Sequence, residues 1–111
     1  MAKQVIKSER ALKMIANNLH KKVVKEIEPY YSGYDVSIEE YLKGEIYQII
    51  VKSENHILTK EIIDEAWNVA NMYSKKYKDI YAYIDTKPYL TNNHIFIYKP
   101  VIIITVKKER V

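Results

Sequence analysis

The chain has 111 residues, no cysteine, 18 Lys/Arg against 14 Asp/Glu and a formal net charge of +4. That length suits one domain, residues 1–111, and is too short for two; the lack of cysteine excludes disulfides, thiolate metal sites and a cysteine nucleophile. With 48% hydrophobic and 29% charged residues, the composition is that of a folded chain rather than a disordered one.

The first predicted element is a helix. Leu12, Ile15, Ala16, Leu19, Val23 and Ile27 recur at the 3–4 spacing of one helical face. Ser8 is placed to cap its start, because its hydroxyl can accept from an otherwise unpaired amide, and Pro29 disfavours helical geometry at Glu28 and ends it. The stretch "PYYSGY" follows, with three of the chain's eleven tyrosines. Its glycine marks a reversal. Tyr30 and Tyr31 are expected to cover the end of the helix, and Tyr34 to open a strand.

"YDVSIEEY" alternates apolar and polar residues, the period of a strand with one wet face. "LKGE" then supplies a tight turn, and "EIYQIIVK" a second, more apolar strand, so the two make a hairpin. "TKEIIDEAWNVANMYSKKYKDI" is a second amphipathic helix with Thr59 as its cap. Ile62, Ile63, Ala66, Val69, Ala70, Tyr73 and Tyr77 form its buried stripe, with acids early and lysines late, as the helix dipole favours. "IYAYID" reads as a third strand, "TKPYLTNN" as a turn-rich loop and "HIFIYKPVIIITVKK" as a long fourth strand. Pro100 must kink that strand or sit where no ladder donor is needed.

The α-β-β-α-β-β order predicts an α+β two-layer sandwich, with two helices on one face of a four-stranded antiparallel sheet. It is the element order of a circularly permuted ferredoxin-like fold. Such a fold puts the second and fourth strands at the centre, where the two most apolar runs belong.

Alternation sets expectations for the open face of that sheet. With Ala82, Ile84, Ile95 and Ile97 under the helices, Tyr81, Tyr83, Phe96 and Tyr98 gather on the opposite side. A soluble monomer rarely leaves so large an aromatic patch uncovered. A homodimer would bury it; stacking on the bases of single-stranded nucleic acid would use it; so would a protein partner, in an adaptor or inhibitor.

Charge is segregated. Residues 1–25 hold seven basic and one acidic side chain, 26–66 three and ten, and 67–111 eight and three. Arg10, Lys21 and Lys25 on the first helix, with Lys99, Lys107 and Lys108 on the last strand, are the candidate phosphate contacts, and Arg110 lies close by in sequence. Affinity from such residues carries no base specificity.

No enzyme signature is present. His20, His56 and His94 lack metal-ligand spacing, and Gly33 and Gly44 are too few for a phosphate loop. Asp35, Glu45 and Lys52 lack the acid-x-lysine spacing of a metal-dependent nuclease. The reading is therefore a non-enzymatic binding module without cofactor or metal. No run approaches the roughly 20 apolar residues that span a bilayer, and "MAKQVIKSERALK" has no uninterrupted hydrophobic region of a leader. A cytoplasmic setting is expected. The abundance of Ile, Lys, Glu and Tyr points to a thermophilic source, such as an archaeon or its virus.

Overall fold

A computed structural model describes residues 2–30, 36–53 and 57–109. Tyr31, Gly33, Tyr34, Asp35, His56 and Arg110 lie outside these. The elements run α1 (Glu9–Ile27), β1 (Val36–Lys43), β2 (Ile46–Ser53), α2 (Lys60–Lys76), β3 (Ile80–Leu90) and β4 (Phe96–Lys107).

Both helices start where the sequence places a cap. The Ser8 hydroxyl accepts from the Ala11 amide at 3.0 Å, and the Thr59 hydroxyl from Ile62 at 3.4 Å. α1 ends before Pro29 in a 3-10 turn, Glu28–Tyr30. Tyr30 is exposed there. Gly44 turns the β1–β2 hairpin at φ 60°, while Glu45 stays at negative φ. Positive φ at the first central residue alone is the pattern of a type II′ turn, which glycine enters at no steric cost.

The four strands form one antiparallel sheet in the order β1-β2-β4-β3. The inner strands are thus the two most apolar ones. Leu12, Ile15, Leu19 and Val23 from α1 and Ile62, Ala66, Val69 and Ala70 from α2 share one core with Tyr47, Ile49, Val51, Ile102, Ile104 and Val106. The strand residues have the same parity across the register, so the helix layer meets a single face of the sheet.

β3 is longer than its sequence suggests. Thr86–Leu90, expected as a loop, continues the strand, paired from Thr86↔Pro100 to Leu90↔Phe96. Pro88 is compatible with this because of its class of pair. The Lys107 amide donates to the Asp79 carbonyl at 3.0 Å and the Thr91 amide to the Ile95 carbonyl at 2.9 Å. The odd-numbered pairs are therefore the hydrogen-bonded ones. Pro88 and Pro100 both fall in even-numbered pairs, where an N–H would point out of the ladder.

Pro100 also ends the contact with β2. Even-numbered residues of β4 donate towards β2, as Lys108 does to the Glu45 carbonyl at 2.8 Å. The β2–β4 register stops at Val51↔Ile102. The next donor in phase would be residue 100, which has none. Among the described residues, 85–90 and 96–101 pair only with each other, a two-stranded arm about 20 Å long. At its tip the Thr91 hydroxyl accepts from the Ile95 amide at 3.1 Å, and His94 turns the chain at φ 61°.

Candidate nucleic-acid interface

The two basic ends of the sequence meet at one end of the sheet. Gln4 forms a parallel bridge with Tyr77: its amide donates to the Lys76 carbonyl and its carbonyl accepts from the Lys78 amide, both at 2.8 Å. The Glu109 amide donates to the Ile6 carbonyl at 2.6 Å. These bonds bring Lys3, Lys7, Lys76, Lys78, Lys107 and Lys108 together around the start of β3 and the finish of β4. Four of the six are exposed and two are half-buried. The acids among them are Glu45, Asp79 and Glu109, so the end is basic on balance. The cluster draws on separate segments of the chain, and sequence spacing could reveal only that both ends of the chain are basic.

Tyr81 and Tyr83 stand beside this end on the open face, at 43% and 37% exposure, with ring centroids 6.2 Å apart. The Lys107 ammonium lies 5.3 Å from the Tyr81 centroid. The same face is already filled in its middle, since Ile50, Val101 and Ile103 pack there as a small buried cluster beside buried Thr105.

The remaining candidates are scattered. Phe96 and Tyr98 do not join Tyr81 and Tyr83. They pair with Leu90 and Pro88, share the even parity of Ile102 and Ile104, and so lie on the opposite face. Ile95 and Ile97 are correspondingly on the open face and exposed, not under the helices. The reason is length: 12 residues of β4 span about 40 Å and 17 residues of α2 about 26 Å, so the helix layer cannot reach the arm. Ile84, on the helix-facing side of the edge strand β3, is exposed although its partner Ile102 is buried. Lys99 is buried with its ammonium 4.9 Å from the Tyr89 centroid, about 27 Å along β4 from Lys107. Arg10 is in the first turn of α1 beside the basic end. Lys21 and Lys25 are up to about 22 Å further along that helix. A shallow depression on the same helix is lined by Asn17, His20, Lys21 and Val24.

Among the described residues no group of three His, Asp or Glu side chains could hold a metal ion, and no helix is long and apolar enough to cross a membrane. No protein-family model, no curated protein and no solved structure matches the chain.

Proposed function

We propose that the chain is a small non-enzymatic module that binds nucleic acid through its basic end. The observation that carries this reading is the convergence of six lysines where Gln4 bridges Tyr77. Lysines from separate segments, held by main-chain hydrogen bonds, offer phosphates a fixed spacing at little ordering cost. Tyr81 and Tyr83 extend the surface with two exposed rings. Stacking a base on a tyrosine contributes about 1–3 kcal/mol, more than the roughly 0.5–1 kcal/mol of an exposed cation–π contact. A base would therefore displace the Lys107 ammonium from Tyr81 and leave it free to meet a phosphate. We also take the strand order to reflect a permuted ferredoxin-like sandwich.

Fluorescence anisotropy with a labelled single strand and a duplex, at about 50 and 200 mM salt, tests the reading. Affinity should fall steeply with salt, and each lysine removed by Lys78→Ala or Lys107→Ala should lower the single-strand salt slope by about 0.7. Tyr81→Ala should weaken single-strand binding and spare the duplex. If wild-type protein retains neither at about 50 mM salt, the proposal fails. The reading then favoured is a protein-binding adaptor or inhibitor, which the exposed apolar arm supports.

A further inference from the structure

The arm carries a second surface that the basic end does not explain. Phe96 and Tyr98, at 64% and 68% exposure, stand at its tip with exposed Leu90, Ile95 and Ile97. Fully burying one aromatic side chain removes about 150–250 Å² from water, so these five leave on the order of 500 Å² of apolar surface uncovered per copy. A standard interface needs about 800 Å² per partner.

The two edges of the arm differ. Along the outer edge of β3, the Thr86 amide is taken by the Asp85 carboxylate at 2.8 Å, and Pro88 has no amide. Together they block strand addition there. Along β4 the amides and carbonyls of Phe96 and Tyr98 point away from β3, and no described strand pairs with them beyond Ile102. One edge is closed and, among the described residues, the other is open.

We propose that the open edge pairs with the same edge of a second copy, forming an antiparallel β4–β4 ladder about a two-fold axis at Ile97. The register follows by elimination. Pro100 offers no donor, and His94, at φ 61°, is not extended. Phe96 and Tyr98 are therefore the only outward donors, and only an axis at Ile97 sets Phe96 of each copy opposite Tyr98 of the other. That pairing makes four main-chain hydrogen bonds and puts four aromatic rings side by side on one face. Ile97 meets its own copy in a non-hydrogen-bonded pair, with Cα atoms about 4.5 Å apart. A second copy is the occupant that the open edge fits in a closed, self-complementary way, because the pattern of donors and proline is symmetric about residue 97. This assembly stands independently of nucleic-acid binding.

The absence of native cysteine permits a direct test. Ile97→Cys should cross-link to a dimer under mild oxidation, since about 4.5 Å is within disulfide reach, whereas Ile95→Cys, facing residue 99 of the other copy, should not. Light scattering of the wild type at about 100 µM should give a dimer, a concentration suited to an interface of this modest size. Tyr98→Pro should give a monomer with an unchanged circular dichroism spectrum. It removes a donor that the arm does not use internally and that the dimer requires. If this variant fails to fold, the cysteine pair decides alone. A monomeric wild type, a dimer that survives Tyr98→Pro in folded protein, or equal cross-linking at residues 95 and 97 would each overturn the proposal.

Discussion

Gln4 and Tyr77 are bridged in parallel, and through that bridge the N-terminal segment completes the basic end. The apolar anchor of the segment is Ile6, buried in the main core two residues further on. Ile6→Ala should therefore do two things. It should destabilise the fold by about 2–4 kcal/mol, the usual cost of emptying such a site, measured by urea unfolding. It should also weaken nucleic-acid binding in protein that is still folded, because Lys3 and Lys7 lose their fixed placement. Unchanged affinity would separate the segment from the binding surface.

Thr105 is buried on the open face, and its hydroxyl has no hydrogen-bond partner among the described residues. An unsatisfied buried hydroxyl costs about 1–3 kcal/mol, and a methyl group of the same shape carries no such penalty. Thr105→Val should stabilise the protein by about 1 kcal/mol, read as a higher urea midpoint at constant slope.

Stability should decline at alkaline pH, partly through Tyr73. Burial raises its phenol above the usual value of 10.0, the neighbouring Tyr77 adds to the rise, and Lys22 opposes it. The folded state thus holds this proton more tightly than the unfolded chain does. The contribution is complete below about 10 and is lost as pH climbs through the raised folded value. Lys22 has the same sign, held above its ordinary value by its hydrogen bond and charge pairing with Glu26. Glu26 is lowered by the same pair, so its share is present above its ordinary value and lost as pH falls through the lowered one. Both partners of that pair are half-buried and still reached by solvent, and their contribution should be small. Denaturant midpoints at pH 8 to 11 should decline less in Tyr73→Phe than in the wild type.

Gly44→Ala probes the hairpin turn. An added Cβ meets nothing within 4 Å, so the cost is purely conformational, from φ 60°. Destabilisation of about 1 kcal/mol or more is expected, and Gly44→Asn should cost about as much, because asparagine tolerates the left-handed helical region and not the first central position of a type II′ turn. A clearly milder effect of Gly44→Asn would argue against the type II′ turn.

The helices were legible in the sequence because Leu12, Ile15, Leu19 and Val23 share a face that contrasts with lysines, and because Ser8 and Thr59 are strong caps. The hairpin was legible through Gly44. The faces of β4 were not, since "VIIITV" is apolar on both sides and alternation has no contrast there. Starting the count from Ile95 and Ile97 put Phe96 and Tyr98 on the wrong side. Pro88 concealed the second half of β3 for a related reason: a proline suits an edge strand when its nitrogen faces outward, and that depends on a register set by the partner strand. The basic character of residues 1–25 and 67–111 could be counted in advance, whereas their meeting required the antiparallel return of β4 to the start of β3.

Pro100 acts as a ruler for the arm. Outward-facing amides alternate along β4, so a proline can end the β2 ladder there, without breaking the β3 ladder, only at even positions. Shifting it by one residue would sever a bond inside the arm; shifting it by two would lengthen or shorten the free hairpin and leave its internal bonding intact. The reach of the arm can therefore vary only in increments of two residues, about 7 Å each.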